Sequence, residues 1–520
     1  MSDAQRTTAE PEKREEFSGQ LGFILSAIGS AVGLGNIWRF PGVAYENGGG
    51  AFMVPYLVAL LTAGIPILFL DYAIGHRFRG AAPLAFRRFK RRLEGLGWFQ
   101  VAICFVIAVY YAVIIAWALS FFVYSFDLRW GDDTAGFFTG DYLKLADVGG
   151  ADPWFTFDFV PAVLVPLVLV WVATIVVLAA GVAKGLEKVN FVFMPLLLLA
   201  FGTLVVRALT LPGAADGLNA LFTPDWSAIT DPDVWIAAYS QIFFSLSIAF
   251  GIMVTYASYR KRRANLTSPG FVVAFANSGF EVFAGIGVFA ALGFLANQQG
   301  VAVAELEGIT GPILAFVTFP AIVSEMPGGP VFGALFFGSL VMAGFTSLLS
   351  ILQVVSAAFQ EKFGWTREWA SVRIGAVAAV LSVLAFSTST GLIALDTVDQ
   401  WANNIGIVAS AVITTVAVAW VLRRSEELRF HLNTVSTLKV GRYWTFCIAV
   451  LGPVVLTYML ISRIVSLIVG GYEEYATWYL GVAGWGTIVL LIVATVVLTR
   501  MRWRVEPDVF DVWPRFGGKS

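Results

Sequence analysis

Charge is scarce in this chain. Of 520 residues, 13% are Asp, Glu, Lys or Arg and 58% are hydrophobic, against about 25% charged in an ordinary soluble domain. With a mean hydropathy of +0.78, lipid is the expected solvent for most of the surface. The net charge of -1, with no dense basic face interleaved with aromatics, argues against a nucleic-acid partner. There are only two cysteines, Cys104 and Cys447, each within an apolar run, where a structural thiol is expected and no compartment can be read. The two histidines, His76 and His431, lie near charged stretches at expected span ends. They are read as interfacial side chains, not metal ligands, because no H-E-x-x-H motif accompanies them. Without a G-x-S-x-G elbow, a zinc motif or a histidine dyad, an enzyme is not expected. Residues 1–16 are polar, end in EKREE and lack the apolar core and cleavage site of a signal peptide, so they read as a cytoplasmic tail.

What is abundant is long apolar sequence. About 20 apolar residues cross about 30 Å of hydrocarbon. That window places twelve spans near 17–46, 51–77, 97–126, 159–181, 187–210, 233–260, 269–296, 332–361, 370–390, 393–421, 443–468 and 476–500. Basic clusters follow the second span (Arg77, Arg79, Arg87, Arg88, Lys90, Arg91, Arg92) and the sixth (Arg260, Lys261, Arg262, Arg263), whereas residues 295–330 contain no Lys or Arg. The positive-inside rule then puts both termini, including the 501–520 tail, in the cytoplasm of a multi-pass inner-membrane protein. The external link from 297 to 330 contains GITGPILAFVTFPAIV, too apolar for a solvated loop, so a re-entrant or capping hairpin is expected.

Two spans break the rules for a membrane helix. In the first, GSAVGLGNIWRFPGVAYENGGGAF from Gly29 to Phe52 brings Gly29, Gly33 and Gly35 together with Asn36, Arg39 and Pro41, so the helix should part in mid-bilayer. Freed backbone cannot face lipid and must face a protein-lined cavity or a ligand. Carbonyls ending one half-helix suit a cation and amides opening the next suit an anion. Gly29 and Gly33 also make a small-xxx-small packing pair, a reading that leaves Asn36 and Arg39 unexplained. The sixth span collects Ser240, Gln241, Ser245 and Ser247 between aromatics from 240 to 251, a second expected interruption. Breaks five spans apart fit an all-α fold of two inverted five-helix repeats, 17–210 and 233–421, with two additional helices at 443–500.

GSAVGLGNIWRFP with ENGGGAF, then VYY, QIFFSLS, ANSGFE, AGFTSLLS and LDTVDQW together resemble the neurotransmitter:sodium symporters, in their bacterial amino-acid branch, over spans one to ten. The resemblance implies two sodium ions. The first would be held by Ala31, Asn36, Ser245, where the family usually has Thr, and Asn277, completed by the substrate's carboxylate. The second would be held by Gly29, Val32, Ala343, Thr346 and Ser347. For Thr346 and Ser347, hydrogen bonding to their own helix is the competing role. The resemblance places the substrate carboxylate at the amides of Leu34 and Gly35 and the Tyr111 hydroxyl. It places the amino group at carbonyls near Ala31, Phe244 and Ser245, and the side chain among Ile107, Phe244, Ser247, Phe250 and Ile351. Gly33 stands where monoamine carriers have aspartate, so the substrate is expected to bring its own carboxylate. Ala249 replaces a frequent glycine, a methyl that narrows the pocket or stiffens the unwound turn. Arg39 with Asp399 resembles an external gate, and Arg14 with Glu361 an internal latch. Glu281 stands where chloride-dependent relatives have serine and would supply the negative charge itself. The function implied is a chloride-independent sodium symporter of neutral, hydrophobic amino acids working by alternating access. A carrier of another carboxylate-bearing solute, such as an osmolyte or a GABA-like acid, and a non-transporting amino-acid sensor are the alternatives. ENGGGAF is expected as the tight external turn into the second span, since no strand precedes it and no Lys follows.

Overall fold

The structure is a computed structural model and describes residues 15–148, 154–306, 308–309, 311–507, 510 and 512–514. Among them ten helices of 20 to 35 residues are long and apolar enough to cross a membrane: Gly50–Phe78, Arg91–Tyr124, Pro161–Ala180, Val182–Leu209, Thr267–Gln299, Gly329–Phe363, Arg367–Phe386, Gly391–Val421, Arg442–Val469 and Thr477–Arg500. Two helices bent by 56° at a short break, Gln20–Ala31 and Leu34–Glu46, make an eleventh crossing if taken as one span. The region expected as the sixth span is carried by Pro232–Ser245 and Ile252–Ser258, with Leu246 to Gly251 non-helical between them.

Helices Arg91–Tyr124 and Gly329–Phe363 are the most fully enclosed of the long helices and pack along one another, and Gln20–Ala31, Leu34–Trp38 and Ile252–Ser258 pack against Gly329–Phe363. The last helix, Thr477–Arg500, lies at the periphery, with Val489, Leu490, Val493 and Val497 about half exposed. That is the pattern expected when the outer solvent is hydrocarbon.

The ENGGG turn owes its composition to close packing. Gly50 N donates to Thr223 O at 3.4 Å and Asp225 N to Gly48 O at 3.1 Å. A Cβ on Gly50 would fall 2.2 Å from Phe222 O, and one on Gly49 2.8 Å from Thr223 O. Three glycines let this turn lie flat on the segment that precedes Pro232.

In the link from 297 to 330, the apolar helix Gly311–Glu325 tucks Leu314, Ala315 and Phe316 completely out of solvent. The Phe316 ring lies 6.2 Å from Trp38 and 5.7 Å from Trp117, so this helix packs against the second half, Leu34–Glu46, of the first broken pair. One sequence expectation needs correction. His76 and His431 are not interfacial; both are buried, at 3% and 0% exposure.

Candidate functional site

The first break is short because the sequence supplies its own cap. Gln20–Ala31 ends where Val32 turns extended (φ -74°, ψ 98°), and Gly33, also extended, precedes the resumed helix. Gly33 N donates to Asn36 Oδ1 at 2.8 Å, satisfying one of the amides that a helix N-terminus leaves open. Asn36 Nδ2 donates to Asn277 Oδ1 at 2.9 Å, and Asn277 Nδ2 to Ser245 Oγ at 3.1 Å. Three of the residues expected around the first sodium are thus joined in one buried chain, close to Ala31 at the end of the preceding half-helix.

The second break runs from Leu246 to Gly251, narrower than the sequence suggested, because Ser240, Gln241 and Ser245 remain helical. Its backbone alternates through the left-handed region at Ser247 (φ 53°), Ala249 (φ 66°) and Gly251 (φ 93°). For Ser and Ala this costs roughly 1 to 2 kcal/mol each, so surrounding groups must hold the shape. Ala249 N donates to Asp71 Oδ2 at 2.9 Å and Ala249 O accepts from Ser410 Oγ at 2.6 Å. Phe250 O accepts from Cys104 Sγ at 3.0 Å, and Gln100 Nε2 donates to Ser410 Oγ at 3.1 Å.

The two breaks touch. Ser247 Oγ donates to Ser30 O at 3.0 Å, so this hydroxyl, expected along the substrate side chain, instead bridges the interrupted helices. Ser347 Oγ lies 3.3 Å from both Gly29 O and Ser30 O. Thr346 Oγ1 bonds to its own helix, at 3.1 Å to Met342 O and 3.0 Å to Ala343 O. Leu34 N donates to the Tyr111 hydroxyl at 3.3 Å. Phe244 leans on Gly35 so closely that a Cβ there would fall 2.3 Å from Phe244 Cε1. Ile107, Phe250 and Ile351 are buried around this meeting point.

The ionisable residues fall into distinct settings. Arg39 lies with its guanidinium 5.1 Å from the centre of the Phe244 ring, a cation–π distance. Asp399 Oδ1 accepts from Asn403 Nδ2 at 2.7 Å, and Asn403 Nδ2 also reaches the Tyr110 hydroxyl at 3.2 Å. Among the described residues no ion pair within 4.0 Å joins Arg39 to Asp399. Glu281, fully buried, accepts from Gln241 Nε2 at 2.6 Å and from the Tyr56 hydroxyl. Glu361 accepts from Ala81 N at 3.0 and 2.9 Å through its two oxygens. Arg14, its expected partner, lies outside the described residues.

Sequence reasoning missed Asp71, Ser410 and Gln100, which with Cys104, expected as a structural thiol, tether the second break. Asp71 was detectable. It is a lone carboxylate inside the apolar run ILFLDYAIG, and the rule that an isolated charge in a span needs a function or a partner applies to it as it does to Glu281. Chemically, the meeting point offers carbonyl, amide and hydroxyl oxygens, a donor set suited to a hard monovalent cation.

The chain matches the model described as the sodium:neurotransmitter symporter family over residues 14–147 and 131–506. It is 38% identical over 497 residues to the uncharacterized sodium-dependent transporter MJ1319 of Methanocaldococcus jannaschii, covering 94% of this chain and 98% of that one. It is 29% identical to the sodium- and chloride-dependent taurine transporter of Bos taurus, covering 91% of this chain and 82% of that one. Among solved structures, MhsT in complex with L-phenylalanine superposes with a TM-score of 0.74 and 32% identity, over 86% of this chain and 100% of the other.

Proposed function

Because the chain belongs to the sodium:neurotransmitter symporter family, whose members are transporters and not enzymes, we propose that it imports neutral, hydrophobic amino acids together with sodium by alternating access. It is a multi-pass membrane protein that works with sodium. The observation that carries the finer reading is the buried chain Asn36–Asn277–Ser245 at the point where the two helix breaks meet. Its oxygens, with the Ala31 carbonyl, would hold one sodium against the substrate carboxylate. Gly29, Val32, Ala343, Thr346 and Ser347 would hold a second.

In this reading the carboxylate lies at the Leu34 and Gly35 amides and the Tyr111 hydroxyl. The amino group meets carbonyls near Ala31, Phe244 and Ser245, and the side chain lies against Ile107, Phe250 and Ile351. The first sodium touches the substrate, so each raises the other's affinity by the same factor. Two sodium ions crossing about 100 mV, down a tenfold gradient, would release about 7 kcal/mol. That sustains up to about a 10⁵-fold accumulation.

Arg39, lying on Phe244, closes the outer side as a lid in concert with Asp399, and Arg14 with Glu361 latches the inner side. Glu281 supplies the fixed negative charge that makes chloride unnecessary. The architecture is twelve spans in two inverted five-helix repeats plus two helices, with both termini cytoplasmic.

Purified protein in sealed liposomes is expected to accumulate a neutral amino acid only with sodium directed inward. Uptake unchanged when potassium replaces sodium overturns the reading. A second reading, a carrier of another acid solute, has support in the similarity to the taurine transporter and, at 30% identity over 79% of this chain, to the sodium- and chloride-dependent GABA transporter 2 of Mus musculus. A sodium-dependent thermal-shift screen of amino acids, taurine and GABA separates the two.

A further inference from the structure

Arg373 stands in the helix Arg367–Phe386, six residues after its start and therefore about 9 Å along its axis. It is exposed on the outer surface of the bundle. Its guanidinium lies 4.9 Å from the ring centre of Trp365 and 4.9 Å from that of Trp369. Trp365 is itself braced by Phe359 and Phe363, each 5.6 Å away. The cation thus lies against two indole rings, and among the described residues no carboxylate lies within 4.0 Å of it and no hydrogen bond engages it. The neighbouring Arg367 differs, being paired with Glu15 at 2.9 Å and Glu368 at 3.0 Å.

Beside Arg373 a groove of about 340 Å³ opens between the helices Arg91–Tyr124, Gly329–Phe363, Arg367–Phe386 and Thr477–Arg500. Phe105, Val377, Leu381, Leu490 and Leu498 line it, and among the described residues Arg373 is the only charged one on its wall. A charge facing hydrocarbon needs an anion or must snorkel to the interface. The Trp365 and Trp369 rings flank this guanidinium beside the groove mouth. Indoles favour the depth of the lipid head groups, so the anion within reach is a lipid phosphate. This end of the bundle also carries the exposed basic residues Arg500 and Arg502, just beyond the groove-lining Leu498, where anionic head groups concentrate.

We propose that this groove is a binding site for an anionic phospholipid, one acyl chain lying along Phe105, Val377 and Leu490 and the phosphate accepting hydrogen bonds from Arg373. The proposal rests on the membrane-spanning character of the chain and not on the identity of the transported solute. A guanidinium offers paired donors that match two phosphate oxygens, so lysine at this position should serve less well. The expected preference is about fivefold for an anionic over a zwitterionic lipid, following roughly 1 kcal/mol for one basic residue near an anionic surface.

The test uses the full chain, delipidated in detergent and supplied with phosphatidylglycerol or phosphatidylcholine of identical acyl chains, with retained lipid read by native mass spectrometry. Wild type is expected to retain phosphatidylglycerol about fivefold better. Arg373→Gln should lose that preference while melting at the same temperature as wild type in phosphatidylcholine, and Arg373→Lys should keep part of it. Val377→Trp, a change at a half-exposed position, should fill the groove and reduce retention of both lipids. Equal retention of the two lipids by wild type, or an undiminished preference in Arg373→Gln, overturns the proposal. So does glycerol 3-phosphate displacing the lipid completely, which would mark an anion site without an acyl chain. A change in oligomer mass with Val377→Trp at unaltered lipid retention would assign the groove to a second copy of the chain and likewise overturn it.

Discussion

His76 Nδ1 and His431 Nε2 lie 2.9 Å apart, a hydrogen bond between the only two histidines of the chain, 355 positions apart in sequence. His76 Nε2 is 2.8 Å from Lys261 O, which can only accept. Nε2 therefore carries the proton, and in the neutral ring Nδ1 accepts from His431. This leaves His431 Nδ1 as a buried lone pair without a hydrogen-bond partner among the described residues. Burial, then the His76 ring and the Arg77 guanidinium, hold the His431 imidazole well below its ordinary value. Unfolded, it titrates at about 6.5. Below that pH the unfolded chain binds the extra proton, so this contribution to stability is complete above about pH 6.5 and is lost as pH falls through it. His431→Gln keeps a donor toward His76 and removes the proton site. Its melting temperature should depend less on acid between about pH 7 and 5 than that of wild type, as read by a thermal-shift series; an identical acid slope would falsify this.

The backbone at Ala249 is held from both sides, by Asp71 and by Ser410. Asp71→Ala removes the acceptor from a buried amide and should destabilise by about 1 to 3 kcal/mol. Asp71→Asn keeps an acceptor oxygen and should recover most of that loss. Melting temperatures in one detergent compare the two; equal losses would mean that the hydrogen bond to Ala249 is not what Asp71 contributes.

A methyl at Gly35 collides with the Phe244 ring. Overpacking of this kind costs about 1 to 3 kcal/mol; if that cost falls on the substrate-bound state, Gly35→Ala should raise the KM for uptake by about fivefold to a hundredfold. Adding Phe244→Leu should return part of it. Wild-type kinetics in the single variant would separate this contact from substrate closure.

Ser245 and Asn277 are linked through their side chains at 3.1 Å. If they hold a sodium ion, Ser245→Ala should raise the sodium concentration for half-maximal uptake by about tenfold, the scale of one polar contact. Ser245→Thr should keep wild-type dependence. A sodium titration of both variants decides it, and an unchanged alanine variant counts against the site.

Glu281 is buried against Tyr56 and Gln241 with no cationic partner within 4.0 Å among the described residues. Glu281→Ser removes the fixed charge, and uptake by this variant should then require chloride. Equal uptake in chloride and in gluconate shows that the carboxylate has another role.

The sequence by itself determined the membrane character, most of the spans and the place of both helix breaks. These are local matters: about 20 apolar residues in a row, or Gly33 and Gly35 close to Pro41, act whatever lies opposite. Even the exceptions follow this division. The sixth-span break is narrower than its run of polar residues, because Ser240, Gln241 and Ser245 keep helical geometry while Asp71 and Ser410 hold only the stretch around Ala249. Tertiary structure alone decided partners. It joined Asn36 to Asn277 across 241 positions, laid Arg39 on Phe244, turned Ser247 toward Ser30, and buried two histidines that the sequence placed at an interface. A buried polar group is stable only when satisfied, and what satisfies it is whichever group another helix happens to bring alongside, a fact of packing that no local pattern records.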